Sequence, residues 1–236
     1  MLIIMTRAEI VIPCYNEYEN LEELYAECCR VVLLSRGLIN FILVNNGSTD
    51  RTSDFFEKNQ KSEFGVQFVS VGSNQGYGGG ILAGLAVSTA ENLGWTHADL
   101  QTPLTDCLRA VEILKKGHDF VKGSRIARPI ADKFFSKGME FFESALFRVR
   151  LKEINAQPTL FSRDIYDNWR DVPNDFSIDL YALVMAAKSN ARIVRFEVTF
   201  LPRIHGSSNW NSGFKSRIRF IKRTIKYSFQ LNRRFL

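Results

Sequence analysis

The chain has 236 residues, of which 45% are hydrophobic and 24% charged, a balance that suits a single folded domain with a sizeable core. No run approaches the roughly 20 apolar residues that cross a bilayer, and the first residues lack the charged stretch of a secretory signal, so the sequence favours neither an integral membrane protein nor a secreted one. The net charge of +6 is unevenly spread, because residues 198–236 carry nine Lys or Arg and no Asp or Glu, and such a basic segment predicts an anionic partner.

Strand-like and helix-like segments alternate over the first 125 residues. Short apolar runs predict strands at residues 8–13, 41–44, 66–71, 93–96 and 120–123. The segments between them have helical spacing: an apolar face of Leu21, Leu24, Cys28 and Val31, a helix from Thr52 with Phe55 and Phe56, and helices at 78–90 and 107–116. This alternation predicts an α/β fold, in which a mostly parallel sheet carries helices on both faces.

The alternation loosens after residue 125. Apolar spacing predicts helices at 134–148 and 178–187, and residues 192–200 alternate as a strand does. We expect this second half to pack on the first rather than to fold alone. The four cysteines, at positions 14, 28, 29 and 107, form no C-x-x-C pair, which predicts a reduced, cytoplasmic chain.

A cluster of potential metal ligands follows the fourth predicted strand. His97, Asp99 and Gln101 come directly after the apolar run at 93–96. In an open α/β sheet, ligands bind outside the carboxyl ends of the strands. A carboxylate at that edge, flanked by other oxygen and nitrogen donors, can hold a divalent cation against a diphosphate. The competing interpretation is a strand that ends in an ordinary polar loop.

Two other turns carry polar or aromatic groups at strand ends. Pro13, Tyr15 and Glu17 could wall a pocket for a flat base, or form a turn with a capping Asn. Asn45 and Asn46 end the second strand, where their amides offer both donors and acceptors. An ordinary strand-to-helix turn is the alternative for this pair.

The glycine-rich stretch at 72–80 precedes a predicted helix. Gly76 and Gly78 could let the backbone approach a diphosphate at the helix N-terminus. A competing pattern is the dinucleotide fingerprint, since Gly78, Gly80 and Ala83 fit G-x-G-x-x-A and Asp99 lies about 20 residues on. This pattern leaves an NAD-dependent oxidoreductase as an alternative function.

Five motifs in order carry a family resemblance. They are Ile12-Pro13-Cys14-Tyr15-Asn16-Glu17, Val44-Asn45-Asn46-Gly47-Ser48-Thr49-Asp50, Asn74-Gln75-Gly76-Tyr77-Gly78-Gly79-Gly80, Ala98-Asp99-Leu100-Gln101 and Lys122-Gly123-Ser124-Arg125. Together they resemble family 2 glycosyltransferases, in particular the dolichyl- or polyprenyl-phosphate mannose and glucose synthases. The resemblance covers residues 8–125, with weaker echoes through 201–208 to about Trp210.

This resemblance implies a GT-A fold and an inverting transfer of a sugar from a nucleoside-diphosphate sugar. The acceptor would be a polyprenyl phosphate or a lipid-linked glycan. The positions implied are Pro13, Tyr15, Glu17 and Asn46 for the base, Asp99 and Gln101 for the metal and diphosphate, and Arg125 and Arg203 for phosphate groups. On this view residues 1–125 bind the nucleotide sugar, residues 126–212 bind the acceptor, and residues 213–236 form a basic helix.

Two departures from the family pattern affect the expected chemistry. Asn45-Asn46 stands where the family commonly has Asp-Asp, so the pattern leaves open which nucleobase the donor carries. His97 stands at the first position of the usual Asp-x-Asp-x-Gln motif. Imidazole is a poor ligand for Mg²⁺ but an acceptable one for Mn²⁺, so we expect a divalent metal, Mn²⁺ or Mg²⁺, with Mn²⁺ workable. The same departures suggest an alternative function, a nucleotide-sugar-binding protein with weakened catalysis.

The acceptor decides whether a general base is needed. A lipid phosphate is already ionised near neutral pH, whereas a hydroxyl must lose its proton. Asp179 is the first candidate for that base, and Asp164 and Asp175 are weaker ones. The alternative for Asp179 is a carboxylate on the exposed face of a helix.

The basic C-terminal segment has the pattern of an amphipathic helix. Its apolar residues recur at helical spacing, at Phe214, Ile218, Ile221, Ile225 and Phe229. Such a helix could lie on an anionic membrane surface, or it could pack on the body and expose a basic face. No nucleic-acid-binding motif accompanies it. We therefore expect a peripheral protein on the cytosolic face of the membrane, with a membrane-anchored partner subunit as a further candidate partner.

Overall fold

The computed structural model describes residues 7–61, 64–126, 130–202 and 214–235. Seven β-strands lie in this part of the chain: β1 (Ala8–Cys14), β2 (Ile39–Asn46), β3 (Val66–Val71), β4 (Asn92–Trp95), β5 (Phe120–Arg125), β6 (Thr159–Ser162) and β7 (Ile193–Val198). The helices are α1 (Tyr18–Leu34), α2 (Thr52–Asn59), α3 (Gly76–Val87), α4 (Asp106–Lys115), α5 (Ile130–Phe147), α6 (Arg163–Asp167), α7 (Ile178–Lys188) and α8 (Phe214–Asn232).

The strands form one sheet in the order β3-β2-β1-β4-β6-β5-β7. Every pairing is parallel except those of β6, which runs antiparallel to both β4 and β5. The expected mostly parallel α/β sheet is therefore confirmed. The six parallel strands end at the same edge of the sheet, here called the carboxyl edge, and loops at that edge position the candidate site.

The sequence pattern predicts neither β6 nor the short helix α6 that follows it. The strand has four residues, of which the first three are buried, so its side chains show no alternation of polar and apolar character. Its register places Phe161 opposite Leu93 of β4 and opposite Phe120 of β5. A strand of the second half thus lies inside the sheet of the first, which agrees with the expectation that the two halves pack together.

Apolar side chains cover both faces of the sheet. On one face, α1 contributes the predicted stripe of Leu21, Leu24, Cys28 and Val31, all fully buried. Each such side chain contributes roughly 1.5–3 kcal/mol when it leaves water. On the other face, α3 and α7 pack over Trp95, Phe120 and Phe161. Helix α7 is apolar on nearly all sides, which is the pattern of a helix buried within a protein.

The C-terminal helix α8 packs against α5. Ser228 donates a hydrogen bond to Glu143 over 2.7 Å, and both side chains are fully buried. The rings of Phe142 and Phe229 meet edge to face with centroids 5.9 Å apart. Packing on the body, one of the two alternatives for this segment, is therefore observed. Among the described residues, no helix is both long enough and apolar enough to cross a bilayer.

Candidate active site

The turns after β1 and β2 are joined by Asn16 at the carboxyl edge. Asn16 has a left-handed backbone, with φ of 56°. Its amide oxygen accepts from the backbone N–H of Thr49 over 2.8 Å, and its own N–H donates to Ser48 Oγ over 3.1 Å. The ring of Tyr15 beside it is 39% exposed. Glu17 accepts from Asn20 over 2.6 Å. The structure thus brings Tyr15 and Glu17, which were predicted to wall a pocket for the nucleobase, to one edge of the sheet.

Asn46 connects the end of β2 to the glycine-rich turn. Its Nδ2 donates to the carbonyl of Gly76 over 2.9 Å, and its Oδ1 accepts from the N–H of Gln75 over 3.2 Å. A carboxylate could accept from Gln75 but could not donate to Gly76, so an amide fits this position. The role of Asn46 as a base contact stays a prediction, because its side chain is buried and already engaged.

Asn45 is bound in the same way, although to different partners. Its Nδ2 donates to Ser53 Oγ over 3.0 Å, and its Oδ1 accepts from the N–H of Ser48 over 3.0 Å. Both amides of the Asn45-Asn46 pair therefore hold loops in place. Pro13, predicted as part of the base wall, lies against Gly80, where an added Cβ would meet its side chain at 3.1 Å.

The glycine-rich turn is packed beneath a loop of the second half. A Cβ on Gly76 would lie 2.4 Å from the carbonyl oxygen of Asn174, and one on Gly78 would lie 2.5 Å from that of Pro173. The backbone N–H of Gly79 donates to the backbone carbonyl oxygen of Asn174 over 3.0 Å. Backbone packing therefore requires glycine at positions 76 and 78, and their predicted contact with a diphosphate stays a prediction.

The same geometry bears on the dinucleotide interpretation. In that fold the glycines follow the first strand and approach a pyrophosphate. Here they follow β3, and Gly78 and Gly80 face protein groups on the loop at 173–175, on Pro13 and on Asn46. An NAD site at this turn is therefore not supported.

The predicted metal ligands lie in one turn after β4. Asp99 is buried, and its Oδ1 accepts from the N–H of Gln101 over 3.2 Å. The side chain of Gln101 donates to the carbonyl of Leu201 over 2.9 Å. The ring of His97 is half-buried and stacks on Tyr77, with centroids 5.5 Å apart and planes 20° apart.

This donor set fits a cation that is shared with substrate. Within the described ranges, no three His, Cys, Asp or Glu side chains come together to hold a metal. Mg²⁺ and similar ions are commonly bound by one or two carboxylates together with substrate phosphates rather than by a cage of protein ligands. Asp99 at the carboxyl edge suits that arrangement, with Gln101 and His97 beside it.

Arg125 ends β5 at the same edge. Its Nε donates to Glu153 over 3.2 Å, and its guanidinium lies 6.0 Å from the ring of Phe200. Arg125 also lines a cavity of about 60 Å³, together with Ser136, Glu140, Glu143, Asn155, Phe176 and Thr224. A phosphate-binding role for Arg125 stays a prediction. Arg203 lies outside the described residues.

Asp179 lies inside the protein rather than on an exposed helix face. Its side chain is 2% exposed, and its Oδ1 accepts from Gln157 over 2.9 Å, from Trp95 over 3.3 Å and from Lys122 over 3.3 Å. The alternative of an exposed helix face is therefore wrong, and the role of Asp179 as a base stays a prediction.

The other two base candidates have different positions. Asp164 lies on α6 after β6, and because β6 runs antiparallel it lies at the opposite edge of the sheet, so its prediction as a base is wrong. Asp175 lies near the site, where it accepts from the N–H of Ser177 over 2.8 Å and pairs with Arg223 over 3.2 Å.

Four residues at this edge were missed from the sequence. Tyr77 stacks with His97 and with Phe176, Gln157 contacts the Tyr77 hydroxyl, and Lys122 lies deeper, beside Thr159 and Asp179. Lys122 was the one with a usable signal, since a charged residue inside an apolar strand has to find a buried partner. Burial lowers the pKa of Lys122 to about 8, against the opposing effect of Asp179.

Comparison with known proteins gives a family match. The model of the family described as Glycosyl transferase family 2 matches residues 9–169. The dolichol-phosphate mannosyltransferase of Pyrococcus furiosus is 26% identical over 240 residues, which cover 96% of this chain and 66% of the relative. An undecaprenyl-phosphate 4-deoxy-4-formamido-L-arabinose transferase of Pseudomonas aeruginosa is 33% identical over 121 residues, which cover 50% of this chain and 35% of the relative. The chain thus spans about two thirds of the length of the first relative and about a third of the second.

Solved structures share the fold. Glucosyl-3-phosphoglycerate synthase from Mycobacterium tuberculosis, crystallised with Mn²⁺ and UDP-glucose, superposes with a TM-score of 0.69 at 17% identity, covering 94% of this chain and 79% of that one. The expected GT-A fold is thereby confirmed, and so is the expected kinship with the polyprenyl-phosphate sugar synthases.

Proposed function

The chain belongs to glycosyl transferase family 2, and we propose that it transfers a sugar from a nucleoside-diphosphate sugar to a polyprenyl phosphate or a lipid-linked glycan. The observation that carries this proposal is the convergence of Tyr15, Glu17, Asp99 and Arg125 at the carboxyl edge of one parallel sheet. That edge is where open α/β sheets bind their ligands.

The donor would lie across the ends of β1, β2 and β4. The exposed ring of Tyr15 offers a flat contact for the base, and Glu17 lies beside it. His97, Asp99 and Gln101 would face the diphosphate. The solved structure with UDP-glucose and Mn²⁺ has the same fold, which supports this placement.

A divalent cation, Mn²⁺ or Mg²⁺, would be held by Asp99 with Gln101 and His97 nearby. When bound, it would neutralise the charge that develops on the departing diphosphate. The chain's own residues orient the donor and hold cationic groups at the edge, which stabilises the same charge. Attack by the acceptor on the face opposite the leaving group would invert the configuration at the transferred carbon.

The acceptor would enter beside Arg125. A lipid phosphate needs no general base because it is already ionised, and the buried position of Asp179 agrees with such an acceptor. Relatives named for dolichol phosphate and undecaprenyl phosphate point to the same class. Arg203 is proposed as a second phosphate contact.

Contact with a membrane would bring a lipid-linked acceptor to the site. Lys222 and Lys226 are exposed on α8, beside the half-exposed ring of Phe229. A basic, partly apolar surface of this kind binds anionic lipid. We propose a peripheral association with the cytosolic face of the membrane, and a membrane-anchored partner subunit remains a candidate.

Calorimetric titration with nucleotides tests the donor site. We expect UDP or GDP to bind in the presence of Mn²⁺, and NAD⁺ not to bind. Asp99→Asn should weaken the Mn²⁺-dependent part of the affinity, whereas Asp119→Asn should not, because Asp119 pairs with Arg192 at the amino end of β5, on the opposite edge of the sheet. Binding of NAD⁺ with no binding of either diphosphate would overturn the proposal.

A further inference from the structure

Three aromatic rings are stacked beside the metal-motif turn. The ring of Tyr77 stacks with those of His97 and Phe176, with centroid distances of 5.5 Å and 4.5 Å. The planes are only 20° and 12° apart, so Tyr77 is stacked with both rings. His97 and Phe176 come from opposite halves of the chain, and Tyr77 joins them. The His97 imidazole is therefore in stacking contact with Tyr77.

The hydroxyl of Tyr77 is held by a hydrogen bond from a buried side chain. The side chain of Gln157 donates to the Tyr77 hydroxyl over 3.4 Å and to Asp179 over 2.9 Å. Burial first, and then the charges of Asp179 and Asp99, raise the pKa of Tyr77 well above its ordinary value. The hydroxyl thus stays protonated at any physiological pH and can serve as a fixed hydrogen-bonding group.

A buried ion pair anchors this support. Lys122 is fully buried, and its Nζ lies 3.3 Å from Asp179 Oδ1 and 2.6 Å from Thr159 Oγ1. Buried ion pairs rarely add stability over apolar side chains of the same volume, because desolvation offsets their attraction. Their better-attested use is to specify one arrangement of neighbouring groups. Here that arrangement connects β4, β5, β6 and α7 beneath Tyr77.

We propose that Tyr77 is a positioning residue, which holds the imidazole of His97 toward the donor diphosphate, and that Gln157 and Asp179 hold Tyr77 in turn. The inference rests on the proposed function, because it assigns His97 to the donor site. Its structural part, that the Tyr77 ring sets the position of His97, is independent of catalysis. The two parts can therefore fail separately.

Proton NMR of the histidine rings tests the structural part. The chain has three histidines, so the His97 signal is assigned by comparison with His97→Gln. Tyr77→Leu should shift that signal, because the ring current of the stacked tyrosine is lost. Tyr77→Phe keeps the ring and loses only the hydroxyl that Gln157 contacts, so it should shift the signal much less than Tyr77→Leu, and it also controls for loss of folding. Gln157→Leu should move it in the same direction by less. An unchanged signal in Tyr77→Leu would refute the positioning role.

A double-mutant cycle on nucleotide affinity tests the functional part. Tyr77→Leu should weaken Mn²⁺-dependent UDP or GDP binding about 2- to 10-fold, the effect of losing one aromatic contact. If Tyr77 acts through His97, the double variant with His97→Ala should bind no more weakly than His97→Ala alone. Additive losses would contradict the proposal, because they would show that Tyr77 acts on its own.

The matched control is Tyr25→Leu. Tyr25 also lies in a ring cluster, with Phe55 and Phe68, but within the helix layer of α1 and α2. The substitution Tyr25→Leu should change neither the His97 signal nor the affinity for nucleotide. If no nucleotide binds to the wild type while the His97 signal still depends on Tyr77, the proposed function fails and the structural part stands. If nucleotide binds and the signal does not depend on Tyr77, the positioning role fails alone.

Discussion

The side-chain amide of Asn46 donates a hydrogen bond to the carbonyl oxygen of Gly76 over 2.9 Å. This bond fixes the end of β2 to the glycine-rich turn, which in turn carries Tyr77. Asn46→Asp would replace the donor with a carboxylate that faces a carbonyl, although it would restore the residue common in the family. We expect a loss of about 1–3 kcal/mol in the free energy of unfolding, the cost of an unpaired buried polar group.

The control for that change is Asn45→Asp at the neighbouring position. Asn45 donates to a hydroxyl, that of Ser53, which can rotate and donate to a carboxylate instead. Chemical denaturation of both variants should therefore show a clearly smaller loss for Asn45→Asp. Equal losses would mean that the Asn46–Gly76 bond does not set the requirement for an amide.

The loop at 173–175 leaves no room for a side chain on Gly78. Gly78→Ala would bring a methyl group to 2.5 Å from the carbonyl oxygen of Pro173. We expect a loss of at least 1–3 kcal/mol, as for other overpacked positions. Gly138→Ala, on α5 with nothing within 4 Å of the added group, should instead stabilise the protein by roughly 0.5–1 kcal/mol. Thermal melts measure the stability of both variants relative to the wild type. We expect Gly78→Ala to lower the melting temperature and Gly138→Ala to raise it.

Glu143 should make stability depend on pH. Burial raises the pKa of Glu143 to about 7, with the Ser228 hydroxyl opposing the shift. Between its ordinary value of 4.5 and about 7, the unfolded chain loses this proton and the folded protein keeps it. The contribution of Glu143 to stability is therefore present below pH 4.5 and is lost as pH rises to 7.

Glu143→Gln removes that titration. At pH 8 the variant should be more stable than the wild type by on the order of 3 kcal/mol, and at pH 5 the difference should shrink. Chemical denaturation at pH 5 and pH 8 measures this difference in the free energy of unfolding. Glu112→Gln, an exposed change on α4, should alter neither value appreciably. A pH-independent difference for Glu143→Gln would contradict the assignment.

Membrane association should depend on the basic face of α8. Lys222→Gln with Lys226→Gln should lower binding to phosphatidylglycerol-containing vesicles by roughly 2 kcal/mol, since each lysine contributes about 1 kcal/mol near an anionic surface. Vesicle pelleting measures this. Lys58→Gln with Lys61→Gln, exposed at the end of α2, is the matched control. Charge variants are preferable to deleting α8, because Ser228 and Leu231 are buried against the body. Equal binding by both pairs would refute a specific role for α8.

Sequence patterns located most elements because their side chains face one apolar layer. The α1 stripe and strand β3 were predicted with their observed positions. Strand β6 could not be predicted, because its four residues do not alternate in polarity. It forms by pairing with β4 on one side and β5 on the other. Local propensity carries no information about such long-range pairing.

The candidate site was predictable as a set of strand ends but not as a set of contacts. Asp99 and Tyr15 follow from the order of the strands, because parallel strands end at one edge. The burial of Asp179 depends on Lys122, Gln157 and Trp95, which are 22 to 84 residues away in sequence. The packing of Gly76 and Gly78 likewise depends on the loop at 173–175. Neither relationship has a local signature.

The central claim is that this edge of the sheet transfers a sugar from a nucleotide donor with the help of Asp99. The most direct measurement is release of nucleoside diphosphate from UDP- and GDP-sugars with Mn²⁺, with and without undecaprenyl phosphate. We expect slow release from one donor, stimulation by the lipid phosphate, and loss of the activity in EDTA and in Asp99→Asn. Full activity in EDTA or in Asp99→Asn, or no release from any donor, would contradict the claim.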